Sequence, residues 1–331
     1  MGEVPLTDEI IYRSDVPPTT KSQNLLVFFI TGNPGLIEYY RYFLSLLYSL
    51  LQDLSFTPLN SKENVRLNVC VRGTSLANFN VTEQQSRHAL CNLEQQISHI
   101  EDALDAAVLG QKGGQRADSP LRIVMIGHSV GAYILLEVLR RRKERLQSSA
   151  GGKIEGKVIG GICLFPTVTH IAESPSGKKF SRVVSLVTGM SAAPARTTAA
   201  FIKSQLGIRQ ALYLANDEMR TITSDNWDDE LWGIASERQQ GAEATKLFFY
   251  FGQNDHWVAG NTRDELVAAR AFAGKDGDER KPVMEIDQSG IPHGFCICKC
   301  RRSGPVRAWL TTDSTQRPSS KKGGGVYKND G

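Results

Sequence analysis

The chain has 331 residues, of which 40% are hydrophobic, and its formal net charge at pH 7 is +4. This length and composition allow one large domain with an insertion, or two ordinary domains, each with a buried core. Eight Lys or Arg and two Asp give residues 299–331 a net charge of +6, so the remaining chain carries −2. A nucleic-acid-binding function of the body is therefore not expected.

Short β-rich runs alternate with helical patterns along the chain. This alternation predicts an α/β fold, with a mainly parallel sheet covered by helices on both faces. The predicted strands are Leu25–Ile30, Leu67–Val71, Ile123–Ile126, Val158–Phe165, Leu247–Phe251 and Val283–Ile286. The predicted helices are Tyr39–Leu51, Leu93–Val108, Ala132–Arg142 and Arg263–Phe272.

Two stretches depart from this alternation. From about residue 167 to 240 mixed helical patterns replace it, and we interpret this segment as a helical cap inserted into a domain that spans 22–298. The apolar residues of the cap either pack onto the body or face a lipid surface. Residues 299–331 are basic, rich in Gly and Ser and hardly periodic, so they are predicted to form a disordered tail.

The cysteines and the apolar runs argue against a disulfide-stabilised, a metal-binding and a membrane-spanning protein. Cys70 and Cys163 lie in apolar strand-like runs, as buried thiols do in a reducing compartment. Cys296, Cys298 and Cys300 alternate, but no His cluster or second pair lies nearby, so neither a metal site nor another cofactor is predicted. No signal peptide and no apolar run of about 18 residues is present, so membrane attachment is expected to be peripheral.

The segment "IVMIGHSVGAY", residues 123–133, places a Gly-x-Ser-x-Gly turn between a β-rich run and a helical pattern. A sharp strand-to-helix turn requires small residues two positions before and two positions after its centre. Gly127 and Gly131 occupy both positions. Such a turn exposes its central side chain at the end of a strand, so Ser129 is the candidate nucleophile.

A nucleophilic serine requires a base and an acid that orients the base. With a turn of this type the chain order is nucleophile, acid, histidine, and the last two lie on loops after later strands. "KLFFYF" leads into "GQNDHW", which makes Asp255 the candidate acid, and "VMEID" leads into "QSGIPHGF", which makes His293 the candidate base. Asp287 and Asp217 are rival acids, and Asp255 could instead cap the helix near Thr262 or stabilise a turn.

The turn after the first strong strand, "FFITGNPG", would direct backbone N–H groups towards the nucleophile. Asn33 is the candidate donor to an oxyanion in that turn. The second candidate is the N–H group of Val130, the residue after the serine. A plain strand-to-helix turn explains Gly32, Pro34 and Gly35 equally well, so both interpretations stay open.

Five segments resemble the lipid-droplet-associated hydrolases, a family of serine hydrolases with the α/β-hydrolase fold. They are "FFITGNPGLIEYYRYFLSLL", "IGHSVGAYILLEVL", "LFPTVTHIAESPSGKKF", "YFGQNDHWV" and "IPHGF". The similarity spans roughly Leu25 to Phe295. The Gly-Asn-Pro-Gly turn with its following aromatic-rich helix, and the "LFPT…ESPSG" segment, are more specific than the serine turn.

The resemblance implies that Ser129 is the nucleophile, Asp255 the acid and His293 the base. It also implies association with lipid droplets and the endoplasmic reticulum membrane surface, and an ester-lipid substrate such as a sterol ester or an acylglycerol. The chain departs from the family pattern between Thr82 and Cys91, which we interpret in part as an insertion. It departs again after His293, where the family has an amphipathic closing helix.

We therefore expect a serine hydrolase that cleaves ester lipids through an acyl-enzyme. The alternative is a weakly active or inactive lipid-droplet protein that uses the same fold to bind or organise lipid. Surface attachment is expected through apolar cap residues and basic neighbours: Leu186, Val187, Met190, Lys178, Lys179 and Arg182. The basic tail is the alternative anchor, and no oligomeric state is predicted.

Overall fold

The computed structural model describes residues 5–14, 22–55, 66–80, 89–111, 121–148, 156–178, 192–204, 206–233, 245–271 and 281–297. Within these ranges seven strands form one sheet: β1 (Glu9–Arg13), β2 (Ser22–Ile30), β3 (Arg66–Thr74), β4 (Arg122–His128), β5 (Lys157–Leu164), β6 (Lys246–Phe251) and β7 (Val283–Ile286). Their order across the sheet is β1-β3-β2-β4-β5-β6-β7. β1 pairs antiparallel with β3, and every other neighbouring pair is parallel.

Helices connect the strands and cover the sheet. A 3-10 turn (Ile37–Tyr40) precedes the first of them. The α-helices are α1 (Arg41–Ser55), α2 (Leu93–Gly110), α3 (Val130–Gln147), α4 (Pro175–Lys178), α5 (Ala192–Lys203), α6 (Gly207–Thr221) and α7 (Gly260–Arg270). At the start of α2 the Asn92 side chain accepts from the Gln95 amide at 2.9 Å, and the Gln95 side chain accepts from the Asn92 amide at 2.9 Å. This reciprocal pair satisfies amides that the first turn of a helix leaves without a partner.

The central strands are apolar on both faces because helices lie on both sides of the sheet. In β2, Leu26, Phe28 and Ile30 alternate with Val27 and Phe29, and all five side chains are buried. Within the sheet, β3 lies next to β2 on one side and β4 lies next to β2 on the other, so the strand order reverses its direction at β2. In open α/β sheets, ligands bind at the carboxyl ends of the strands at such a change of direction.

All six predicted strands and all four predicted helices are present, with ends that differ by a few residues. The sequence patterns do not predict β1. This strand has five residues, lies at the edge of the sheet and buries Ile10 alone among its side chains. Its short and weakly alternating run therefore carries little of the signal by which strands are recognised.

Between β5 and β6 the described residues form a 3-10 turn (Ile171–Glu173) and helices α4, α5 and α6, with no strand among them. One face of α6 packs on the body, where Gln210 and Glu218 are buried. The Gln210 side chain accepts from the Cys91 amide at 2.8 Å and donates to the Cys91 carbonyl at 2.7 Å. The Asp217 carboxylate accepts from the Leu93 amide at 2.8 Å.

Several predictions concern residues outside the described ranges. These include the tail, Cys298 and Cys300, and the expected anchors other than Lys178, namely Leu186, Val187, Met190, Lys179 and Arg182. The cap limits 167–240 and the domain limits 22–298 stay predictions. Where the structure describes the chain, no helix combines the length and hydrophobicity needed to cross a bilayer. In the same ranges no three His, Cys, Asp or Glu side chains are grouped to hold a metal ion.

Candidate active site

Ser129 lies in the turn between β4 and α3. Its φ of 55° and ψ of −124° fall outside the regions that L-residues ordinarily occupy. The Ser129 amide donates to the Leu164 carbonyl at 3.0 Å, and the Ser129 carbonyl accepts from the Ala132 amide at 3.0 Å and the Thr167 amide at 3.4 Å. These bonds stabilise the strained backbone of Ser129. The turn thereby places the Ser129 side chain at the carboxyl end of β4.

Close packing explains the two glycines of this turn. A Cβ atom on Gly127 would collide with the backbone of Gly131. A Cβ atom on Gly131 would collide with the backbone of Ile30 and Thr31 at the end of β2. The turn after β4 therefore lies directly against the turn after β2, which brings the two predicted site segments together.

His293 and Asp255 form a hydrogen-bonded chain with Ser129. The His293 Nε2 atom lies 3.0 Å from the Ser129 Oγ atom, and the His293 Nδ1 atom lies 2.7 Å from the Asp255 Oδ2 atom. Because an ionised carboxylate only accepts, Nδ1 carries the proton and Nε2 is the acceptor that faces the serine hydroxyl. The Asp255 side chain is 2% exposed, so water screens its attraction to the imidazole only weakly.

The rival acids have other partners. Asp287 accepts from the Tyr250 hydroxyl at 2.7 Å and from the Ile291 amide at 2.6 Å. Although burial raises the pKa of Asp287, its hydrogen bonds outweigh that effect and lower the pKa below the ordinary value. Asp217 bonds to the amide at the start of α2. Asp255 does not cap α7, because the start of that helix has no side-chain capping bond. Its Oδ1 atom does accept from the Trp257 amide at 2.8 Å, so Asp255 stabilises its own turn while its Oδ2 atom contacts His293.

Both candidate oxyanion donors lie beside Ser129. A Cβ atom on Gly32 would lie 3.0 Å from the Ser129 Cβ atom, so the turn that contains Asn33 touches the serine. Val130 is the first residue of α3, and the amides of a first helical turn have no acceptor within their own helix. Both segments thus adjoin the serine, and the catalytic role of their backbone amides stays a prediction.

The side chain of Asn33 connects this turn to the cap helix α6. Its Nδ2 atom donates to the Ala211 carbonyl at 3.0 Å and to the Glu218 Oε1 atom at 3.0 Å. Burial raises the pKa of Glu218 to about 8, despite the bond from Asn33, so the carboxyl is largely protonated at neutral pH. The sequence patterns do not predict this contact, since the two residues are 185 positions apart.

Three residues near Ser129 carry buried oxygen atoms that have no hydrogen-bond partner within the described structure. These atoms are Thr31 Oγ1, Asn33 Oδ1 and Thr167 Oγ1. Buried polar atoms usually have partners, and unpaired ones at a site point to contacts with water or with a bound molecule. These three atoms therefore leave hydrogen-bonding capacity unused close to the serine turn.

A sheet of this order, with a Gly-x-Ser-x-Gly turn after β4, an aspartate after β6 and a histidine after β7, defines an α/β-hydrolase. The same fold occurs in a peroxisomal α/β-hydrolase from Saccharomyces cerevisiae, with a TM-score of 0.52 and 13% identity over 94% of this chain and 83% of that one. The predicted fold is therefore confirmed. The chain belongs to the lipid-droplet associated hydrolase family, whose model matches residues 23–196 and 181–296.

Individual relatives show the same likeness over most of their length. The lipid droplet-associated hydrolase of Gallus gallus is 24% identical over 323 residues, which cover 88% of this chain and 86% of that protein. The protein of the same name from Rattus norvegicus is 27% identical over 303 residues, which cover 82% and 80%. The family predicted from the quoted segments, and with it the assignment to the hydrolases, is confirmed.

Proposed function

We propose that the protein is a serine hydrolase that cleaves ester lipids through Ser129, His293 and Asp255. The observation that carries the proposal is the pair of hydrogen bonds, 3.0 Å from Ser129 to His293 and 2.7 Å from His293 to Asp255. A base within hydrogen-bond reach of a serine hydroxyl, itself oriented by a carboxylate, is the arrangement that activates serine as a nucleophile. The strained turn that holds Ser129 supports the same role.

In the proposed reaction, His293 removes the hydroxyl proton as the Ser129 Oγ atom attacks the ester carbonyl carbon. The backbone amides of Asn33 and Val130 stabilise the resulting oxyanion. The protonated His293 then gives its proton to the leaving alcohol oxygen, the C–O bond breaks, and an acyl-enzyme remains. His293 next deprotonates a water molecule as that water attacks the acyl-enzyme, and it then gives this proton to the Ser129 Oγ atom as the acyl C–O bond breaks and the carboxylic acid is released. Asp255 holds the imidazole in the required tautomer and stabilises its charged form.

The proposal is tested by labelling the purified protein with a fluorophosphonate probe and by following hydrolysis of p-nitrophenyl butyrate. We expect the wild type to be labelled and active, and Ser129→Ala to lose both properties. Ser49→Ala changes an exposed serine of α1 and is the matched control, expected to behave as the wild type. Full turnover by Ser129→Ala would reject the proposal.

Ester lipids are the proposed substrate class because the relatives are named as lipid droplet-associated hydrolases. Sterol esters and acylglycerols are the two candidates. Release of fatty acid from emulsified cholesteryl oleate or trioleoylglycerol, dependent on Ser129, distinguishes them. A folded wild-type protein that binds the emulsions but is not labelled would instead support a lipid-binding function without catalysis.

Attachment to a lipid surface, either a lipid droplet or the cytosolic face of the endoplasmic reticulum, is part of the proposal. The supporting observation is a set of exposed large apolar side chains on α5 and α6: Ile202, Ile208, Leu212 and Tyr213. Lys203 and Arg209 are exposed beside them and suit an anionic lipid surface. Insertion of several such apolar groups, together with basic residues, suffices for reversible attachment.

Flotation with artificial lipid droplets compares three changes with the parent chain. They are Ile208/Leu212→Asp on α6, Leu186/Val187→Asp in the expected anchor, and truncation after Lys299. We expect reduced flotation for at least one of the two cap variants. If both cap variants float as the parent does and the truncation does not, the tail is the anchor. Fluorescence microscopy of the tagged chain then tests the droplet and endoplasmic reticulum locations.

A further inference from the structure

His128 precedes Ser129 and takes no part in the proposed reaction. It is 4% exposed, so its imidazole lies in the protein interior. The Nδ1 atom lies 2.7 Å from the Tyr40 hydroxyl oxygen, and the Nε2 atom lies 2.9 Å from the carbonyl oxygen of His293. The second contact joins the residue beside the serine to the backbone of the residue that carries the proposed base.

The partners of His128 determine which ring nitrogen carries the proton. A carbonyl oxygen only accepts, so the His128 Nε2–H group donates to His293, and in a neutral ring Nδ1 is the acceptor. The Tyr40 hydroxyl therefore donates to Nδ1. Burial, together with the nearby His293, holds the pKa of His128 well below its ordinary value, so the ring is neutral at neutral pH.

Tyr40 also fastens the turn that carries a candidate oxyanion donor. Its hydroxyl oxygen accepts from the Gly32 amide at 3.1 Å, and Gly32 directly precedes Asn33. The three hydrogen bonds form one chain, from Gly32 to Tyr40, from Tyr40 to His128, and from His128 to His293. This chain connects the two loops that meet at Ser129.

We propose that His128 is a positioning residue that fastens the His293 loop to the serine turn and, through Tyr40, to the turn after β2. The bonds from the Ile291 amide to Asp287 and from the Ile297 amide to Gly294 are local to the His293 loop. The bond from His128 reaches that loop from the centre of the sheet, 165 positions away along the chain.

Aromatic packing holds the same loop but constrains it differently. The Phe295 ring centroid lies 5.1 Å from that of His128, 5.5 Å from that of Phe43 and 5.7 Å from that of Phe165. These contacts position the Phe295 ring, but they make no hydrogen bond to the peptide group of His293. The hydrogen bond from His128 is directional, so it fixes the carbonyl of His293 and hence the approach of its imidazole to Ser129.

The catalytic consequence rests on the proposed function. A displacement of about 1 Å between reacting groups can lower a rate by about 100-fold. We therefore expect loss of the donor at His128 to lower kcat by about 10- to 100-fold. KM should change by less than about 2-fold, because the bond acts on the base and not on substrate binding.

Three substitutions separate the two bonds of His128. His128→Gln places an amide N–H group near the Nε2 position and retains a donor to His293. His128→Asn places an amide oxygen near the Nδ1 position to accept from Tyr40, but its side chain is too short to bring its N–H group to the Nε2 position. His128→Leu removes both bonds. We expect the Gln variant to keep most of the wild-type kcat, while the Asn and Leu variants lose it to a similar degree. The matched control is His99→Leu, which removes a 3.1 Å bond from a histidine of α2 to the Ser75 carbonyl.

Amide hydrogen exchange gives a readout that does not depend on catalysis. The peptide 288–297 should exchange faster in folded His128→Leu than in the wild type or in His99→Leu. If the wild type neither reacts with the fluorophosphonate nor cleaves esters, the proposed function fails, while exchange still tests the fastening of the loop. Unchanged exchange in His128→Leu, or an Asn variant as active as the Gln variant, would overturn the positioning role.

Discussion

Glu218→Gln tests the buried contact between α6 and the turn after β2. Glutamine retains an oxygen that accepts from the Asn33 side chain but cannot ionise. In the folded protein burial raises the pKa of Glu218 from 4.5 to about 8, whereas in the unfolded chain the carboxyl titrates at its ordinary value. The folded state therefore binds the proton more tightly. This contribution to the unfolding free energy is fully present below pH 4.5 and is lost as the pH rises through about 8.

The size of the effect follows from the two pKa values. One pKa unit corresponds to about 1.4 kcal/mol, so the whole shift amounts to about 5 kcal/mol. About 3 kcal/mol of this falls between pH 6 and pH 9, because part of the titration difference already lies below pH 6. The unfolding free energy of the wild type should fall by about 3 kcal/mol more than that of Glu218→Gln over this interval.

Urea unfolding at pH 6 and pH 9, followed by tryptophan fluorescence, measures this difference. Glu144→Gln makes the same chemical change at a largely exposed position of α3 and should keep the pH dependence of the wild type. Other titrating groups are common to all three proteins and cancel in the comparison. Parallel pH dependence in the wild type and in Glu218→Gln would refute the assignment of a raised pKa to this carboxyl.

Three further substitutions test other parts of the site. Asp255→Asn should lower kcat for p-nitrophenyl butyrate by about 10³- to 10⁴-fold with little change in KM, and an unchanged kcat would exclude Asp255 as the orienting acid. Gly131→Ala should lower the unfolding free energy by at least about 1–3 kcal/mol in urea unfolding, because the added Cβ atom would collide with backbone atoms. Gly260→Ala is the control, since a Cβ atom has room there, and it should lower the unfolding free energy by less than about 1 kcal/mol. Phe295→Ala should lower the unfolding free energy by about 3–5 kcal/mol, and a loss below about 1 kcal/mol would contradict its role in the core.

The positions of Ser129, Asp255 and His293 could be predicted because each follows a strand that its own apolar run reveals. Parallel strands bring their carboxyl ends to one edge of the sheet, so local patterns and chain order together bring the three residues close. No long-range information is needed for that step. The same reasoning left Asp217 and Asp287 as alternatives, and only the hydrogen bonds in the structure separate them from Asp255.

Contacts between distant segments could not be predicted in this way. The sequence shows that His128 adjoins the serine, but its partner Tyr40 is 88 positions away and no spacing relates the two. Glu218 belongs to a helix whose pattern reveals an inner face but not what that face meets. Such buried polar pairs depend on how the cap packs against the body. The local hydrophobic periodicity of a single sequence carries no information about that packing.

The hydrogen bonds that hold α6 against the body make it costly to move this helix to admit a substrate. Among the described residues, five hydrogen bonds of 3.0 Å or shorter connect this helix to the body, two from Asn33, two with Cys91 and one from Leu93. At about 1 kcal/mol each, displacing the helix costs about 5 kcal/mol, so roughly one molecule in several thousand would have α6 lifted at any moment. An entry route that required this motion would leave nearly all of the enzyme closed to its substrate. A substrate route beside α6 would avoid this cost, because it would leave the contacts of Asn33, Cys91 and Leu93 with the helix intact.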